Sequence, residues 1–236
     1  MQEGVIALDV WGNYAHFKKI YTTSSPLTYS FPPRTAISGL IGAIIGLDKK
    51  DYFRHFLRKD ARIGCKIINP IKKIRIGENH LNADSIKNMH LIRNRHPTRR
   101  EFVKDPKYRI YIAHSDDELY DNLKSLLINH QSIYTPCLGL SQLICNFCYV
   151  GEFDLECLGE GPHAIGSVVP GKCIISPEFE ERKEYFSETL PNEMNDRREV
   201  TDYSEVLFER NGKQIIAKAK DIWEVENDEH ERIAFL

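Results

Sequence analysis

Tyr29 to Leu47 reads YSFPPRTAISGLIGAIIGL, and this stretch organises the rest of the chain. Phe31 precedes Pro32-Pro33, which pushes the entry towards extended backbone. Thr35 then offers a hydroxyl at a helix start, and an apolar run follows. Gly39, Gly42 and Gly46 stand at i, i+3 and i+7, one helix face. Each glycine costs a helix about 1 kcal/mol against alanine. That cost implies a close approach on this face, by a sheet backbone or a bound chain. Arg34 falls at the helix amino end, where unpaired amides and the helix dipole favour an anion. The competing reading is a tightly packed helix with an ordinary arginine.

Outward from this helix the charge is lopsided. From Arg54 to Arg109, 16 Lys/Arg face 5 Asp/Glu, a balance of +11; from Val150 to Leu236, 10 face 21, a balance of −11. Such a split holds a polyanion with one part and either a basic neighbour or its own basic part with the other. With 42% hydrophobic and 28% charged residues in 236, the composition is that of a globular protein, in one elaborated domain or two small ones. The opening MQEGVIALDVWGNY lacks a basic start and long apolar run, and the Ala36–Leu47 run is too short to span a bilayer. A cytoplasmic protein with reduced thiols and no membrane contact is expected.

Gly4 to Val10 alternates with both faces apolar, as a covered central strand does. WGNYAHFKK follows, where Trp11, Tyr14 and Phe17 stand beside Lys18 and Lys19. Stacking surfaces next to cations fit single-stranded nucleic acid, although at least one of Trp11 and Phe17 is expected in the core. Strands are expected at 61–68 and 71–76, then an irregular polar tip over 77–98 and a strand at 102–113. The basic runs on either side of that tip form a long hairpin over about 71–100 carrying Lys72, Lys73, Arg75, Arg93, Arg95, Arg99 and Arg100, and 102–113 is the next strand beyond it. That density of cations suits a phosphate chain. A helix opens at Asp116-Asp117 and ends near Asn129, and a strand lies at 145–150. The order β, α, β, hairpin, β, α, β is a ferredoxin-like or RNA-recognition-motif plan over 1–150. A small β-rich unit over 151–236 follows, with an exposed acidic run at 179–198. There 200–207 and 214–225 are expected to pair across Asn211-Gly212.

The chemistry-bearing motifs are few. Cys145-x-x-Cys148 lies in a strand, where residues three apart face opposite ways, so buried thiols are expected and no metal. No phosphate-binding loop, HExxH or GxSxG is present. His80, His90 and His96 lie in the basic hairpin, so a metal-independent ribonuclease using His90 or His96 stays as the alternative to a binding protein.

Trp11-Gly12, TYSFPPRTAISGLIGAIIGL, EFVKDPKYRIYIA and YTPCLGLSQ resemble the Cas5 family of CRISPR-associated proteins, with subtype I-B the most similar variant. The matching stretches span the first two thirds of the chain, and Trp11, Gly12, Phe31, Pro32, Arg34, Gly39, Gly42 and Gly46 fit the family pattern. The resemblance implies an α+β fold: a ferredoxin-like core, a projecting β-hairpin thumb and a small C-terminal β-domain. It implies a non-catalytic Cascade subunit that caps the 5′ handle of the crRNA in antiviral defence. The backbone subunit and the large subunit would be its neighbours, and target DNA would be met indirectly. The RNA-binding residues expected are Trp11, Tyr14, Lys18, Lys19, Tyr29, Arg34 and the seven hairpin cations. A branch in I-C systems cleaves repeat RNA with a Tyr, Lys and His set, which has no clear counterpart here; subtypes resembling I-B leave cleavage to a separate Cas6 enzyme.

Overall fold

The computed structural model describes residues 4–22, 25–81, 90 and 95–236. The first part of the chain runs β1 (Gly4–Trp11), β2 (Tyr14–Ala15), α1 (Arg34–Ile45), α2 (Tyr52–His55), β3 (Ala61–Ile67), β4 (Lys72–Leu81), β5 (Arg95–Lys104), β6 (Lys107–His114), α3 (Asp117–Ile128) and β7 (Asn146–Leu158). Eight strands follow: β8 (Gly161–Ile165), β9 (Val169–Pro170), β10 (Ile174–Glu178), β11 (Tyr185–Met194), β12 (Val200–Glu209), β13 (Ile215–Ala219), β14 (Ile222–Val225) and β15 (Glu231–Ile233). The fold is α+β and strand-rich. No helix among the described residues is long and apolar enough to cross a membrane.

A six-stranded sheet, ordered β15-β14-β7-β1-β6-β3, forms the body. β1 sits inside it because Val5 to Val10 are buried on both faces. Ile6, Leu8 and Val10 face a core shared with Ile37, Ile41 and Ile44 of α1 and Leu123 and Leu127 of α3. Asp116 caps α3 by accepting a hydrogen bond from the Leu119 amide at 3.1 Å. β4 and β5 leave this sheet and pair with each other and with β2 in a three-stranded sheet of their own.

α1 departs from its expected form at both ends. It starts at Arg34 after an N-cap at Pro33, with no side-chain cap, so Thr35 lies inside the first turn. Proline already holds the φ a helix start needs and has no amide to satisfy. Gly46 terminates the helix in the left-handed region (φ 83°), where a side chain would also strike Ile133 at 2.9 Å. Gly39 and Gly42 do permit close approach, but the neighbour is the Tyr52 side chain of α2. A Cβ on Gly42 would lie 3.0 Å from it.

The boundary expected at residue 150 falls inside β7, and β14 and β15 extend the central sheet beyond it. Val168, Leu190, Val206, Phe208 and Leu236 pack into the same core as α1. Asn211-Gly212 does turn the chain, with Gly212 at φ 75°, but its flanking strands go to different sheets. β12 pairs with β11 and β9, and β13 with β10 and β8. The run expected to be exposed at 179–198 contains β11, in which Leu190, Pro191 and Asn192 are buried. After β15 the chain returns to the opposite edge of the sheet. The Leu236 amide bonds to Ile63 in β3 at 2.9 Å, and the Val168 amide bonds to Cys65. Gly166 bonds to Arg232 on the β15 side.

Candidate nucleic-acid interface

β4 and β5 form a ten-rung antiparallel ladder from Lys72↔Lys104 to Leu81↔Arg95. Paired residues share a face. One face carries Lys72 with Lys104, Ile74 with Phe102, Ile76 with Arg100, Glu78 with Thr98 and His80 with His96. The other carries Lys73 with Val103, Arg75 with Glu101, Gly77 with Arg99 and Asn79 with Pro97. Phe102 and Val103 are buried, so the base of the hairpin is anchored in the body, while Asn79, His80, Arg95, His96 and Pro97 further along are exposed.

Three contacts hold that base. Tyr14 meets Phe102 edge-on with ring centroids 6.0 Å apart. His16 is buried, and its Nδ1 donates to the Glu101 carbonyl at 2.7 Å. Burial lowers its pKa, which keeps the ring neutral near pH 7. Glu188 of β11 is the third. It takes Lys19 Nζ at 2.9 Å, Lys73 Nζ at 3.2 Å and the Ser30 amide at 2.9 Å. Burial pushes the Glu188 carboxyl up, but Lys73, the Ser30 amide and Lys19 together outweigh it and hold the group below its ordinary value.

The residues expected to bind RNA divide accordingly. Lys18, Lys72, Arg75, Arg95 and Arg99 are exposed. Of these, Arg75 approaches Glu101 at 3.8 Å, and the others form no ion pair with a described residue. Lys19 and Lys73 are tied to Glu188, and Arg100 to Glu78 at 3.2 Å. Trp11 is half-buried with the Lys107 ammonium 5.8 Å from its ring centre, and Tyr14 is half-buried against Phe102. Arg93 lies outside the described residues.

Two expectations are corrected. Tyr29 is 3% exposed and belongs to the core, so its ring offers no stacking surface. Arg34 is 1% exposed and does not face an anion. Its guanidinium donates to the Phe56 carbonyl at 2.6 Å and the Ala61 carbonyl at 2.8 Å, crossing from α1 to the turn before β3.

Sequence reasoning missed Lys104, Glu188 and Gly77. Alternation through Phe102 and Val103 placed Lys104 on the hairpin face and was available in the sequence. No local signal marks Glu188 within an acidic run. Gly77 is mid-strand and opposite Arg99, and a Cβ built there meets nothing within 4 Å. Interior strand glycines of this kind leave room for another backbone to approach.

Four carboxylates of the acidic part, Glu188, Asp196, Asp202 and Glu231, serve as counter-charge for the basic part. Arg54 pairs with Asp196, Arg58 with Asp202 and Lys66 with Glu231, besides the Glu188 cluster. Among the described residues, Lys72, Arg95, Arg99 and Lys104 of the hairpin have no carboxylate partner, and neither do Lys59 and Arg62. Beside α1 a separate cavity of about 650 Å³ opens on Gly39, Ala43, Tyr52, Tyr134 and Arg198. The Arg198 guanidinium lies over the Tyr52 ring there, 5.8 Å from its centre. Gly139 closes the loop between this cavity and β2. At φ 96° its backbone touches His16 so closely that any Cβ would sit 2.0 Å from the His16 carbonyl oxygen.

A family model described as CRISPR-associated protein (Cas_Cas5) matches residues 5–223. The chain belongs to the CRISPR-associated Cas5 family. Among solved structures, a CRISPR protein from Archaeoglobus fulgidus is similar to this Cas5-family chain at 14% identity with TM-score 0.57, covering 98% of this chain and 97% of that one. A chain of a CRISPR RNA-guided surveillance complex is similar at 11% identity and TM-score 0.55, covering 92% of each. A chain of a type III-B Cmr-beta complex bound to cognate target RNA and AMPPnP gives 9% identity and TM-score 0.50, covering 90% and 86%. At these identities the likeness is one of fold. Among curated proteins, none matches the chain in sequence.

Proposed function

We propose that this Cas5-family chain is an RNA-binding subunit of a type I CRISPR surveillance complex. It holds the 5′ handle of the crRNA and leaves cleavage to another protein. The observation that carries this reading is the outer hairpin, where Arg95 and Arg99 share one face with Gly77 and have no carboxylate partner among the described residues. The strand order β7-β1-β6-β3, with α1 after β1 and α3 after β6, supports a ferredoxin-like RNA-recognition core. In it, β4 and β5 are the inserted thumb. Likeness of fold to a chain of an RNA-guided surveillance complex supports assembly with a repeating backbone subunit and a large subunit, and indirect contact with target DNA through the guide.

Ultraviolet crosslinking to labelled repeat RNA in EDTA, resolved on a denaturing gel, tests the reading. A slow band over intact RNA is expected. Discrete shorter RNA that disappears in His90→Ala and His96→Ala variants would make the chain a repeat-cleaving endoribonuclease instead. Filter binding across a salt series adds a quantitative arm. Arg95→Gln with Arg99→Gln should lower the log–log salt slope by about 1.4, at roughly 0.7 per phosphate contact on a single strand. Unchanged affinity and slope would count against the hairpin as the interface.

Gly77→Val separates fold from binding. Its side chain enters open space on a strand, so melting temperature should hold or rise. RNA affinity should fall about tenfold, the equivalent of losing one charge-assisted hydrogen bond at the backbone. A variant that binds normally would show that no chain passes over Gly77.

A further inference from the structure

The cations of the 54–109 stretch separate in the fold to the two ends of the central sheet. The hairpin leaves near the Ile67↔Tyr108 pair, whereas Arg58, Lys59 and Arg62 stand near Ala61↔His114. Six residue steps of about 3.3 Å place the two groups roughly 20 Å apart. At the second end a cavity of about 460 Å³ is walled by Arg58, Lys59, Arg62, His114, Leu155 and Trp223.

Its polar groups are not equivalent. Arg58 is committed to Asp202 at 3.1 Å. His114 donates from Nε2 to the His55 carbonyl at 2.7 Å and accepts the Asp116 amide on Nδ1 at 3.0 Å, so both ring nitrogens are occupied. Lys59 and Arg62 are exposed and form no ion pair with any described residue. The Arg62 guanidinium lies over the Trp223 ring, 4.4 Å from its centre. Asp60 is the one carboxylate on the wall. The volume falls within the about 300–1,000 Å³ of small-ligand sites.

We infer that this cavity is a second site for single-stranded nucleic acid, with a base stacked at Trp223 and flanking phosphates on Arg62 and Lys59. The indole already holds one flat cation at stacking distance, and a base that takes the place of the Arg62 guanidinium there frees that cation, with Lys59, for the flanking phosphates. An acidic peptide would satisfy the charges and leave the aromatic face unused. The site stands apart from the hairpin and does not rest on the hairpin's role.

Trp11 and Trp223 are the two tryptophans of the chain, so full-length protein carrying Trp11→Phe reports on Trp223 alone. Arg95→Gln and Arg99→Gln are added to weaken the hairpin, and a six-nucleotide oligouridylate is titrated. Saturable quenching of Trp223 fluorescence is expected. Lys59→Gln with Arg62→Gln should weaken it by about tenfold or more and reduce the salt slope by about 1.4. Both positions are exposed, so melting should shift by no more than the loss of the one Arg62–Trp223 contact. No saturable quenching, or quenching indifferent to these substitutions, overturns the site. Equal quenching by an oligoglutamate of the same charge overturns it too, in favour of an acidic protein surface. If the Trp11→Phe protein does not fold, 4-thiouridine crosslinking to the natural chain with peptide mapping decides the matter: an adduct at Trp223 supports the site, and its absence removes it.

Discussion

Glu188→Ala should lower the unfolding free energy by about 3 kcal/mol in urea melts, the lower end of the loss when one partner of a buried ion pair is removed. The lower end applies because Lys73 is 27% exposed and can turn to water, whereas Lys19, at 14%, has less freedom. The Ser30 amide loses its acceptor as well. The same carboxylate makes stability depend on pH in a defined direction. Its folded pKa lies below the unfolded value of about 4.3, so the unfolded chain takes up its proton first as pH falls. The contribution is complete above that unfolded value and is lost as pH drops through the folded one. Wild type and Glu188→Gln should therefore differ at pH 7 and converge in acid. Parallel stability curves across that range would show that the carboxylate charge is not what the site uses. Because Glu188 spans Lys19, Ser30 and Lys73, the variant should also loosen the hairpin base, visible as faster amide exchange in β4 and β5.

Arg34→Ala carries the other large effect, a loss of about 3–5 kcal/mol. Two carbonyls, of Phe56 and Ala61, lose their donors, and a long side chain vacates a site with 1% exposure. Burial lowers the Arg34 pKa to about 10, against partial support from the nearby Glu193. Arg34→Lys should not restore stability, since a single ammonium does not reproduce the two-pronged reach of the guanidinium. Urea or thermal melts of both variants check this. An Arg34→Ala protein of normal stability that fails to bind RNA would return the residue to the interface.

These two residues show where sequence reading stops. Val5 to Val10 announces a covered strand because its alternation is local, and Asp116 announces a helix start for the same reason. A basic hairpin is legible over about 71–100 because charge accumulates there, but its ladder is not. The polar run from Gly77 reads as irregular, whereas pairing continues to Leu81, resumes at Arg95 and ends at Lys104 within the strand expected at 102–113. Arg34 sits beside a helix amino end in either reading. What decides its role are carbonyls 22 and 27 residues further on, which no spacing rule exposes. Tyr29 is expected among the RNA-binding residues, but the core closes over its ring. Glu188 is one carboxylate in an acidic run, and its two lysines are 115 and 169 residues away in sequence. Asn211-Gly212 was correctly a turn, but the partners of its flanking strands are set by long-range packing.

The return of the chain after β15 has a further consequence. Backbone amides of Leu236 and Val168 occupy the outer rim of β3, and Gly166 occupies that of β15. A neighbouring protein therefore finds no vacant ladder on the body at these points, and strand addition is closed to it there. Contacts with such a neighbour must be made side chain to side chain, which makes them separable by point substitution without disturbing the sheet beneath.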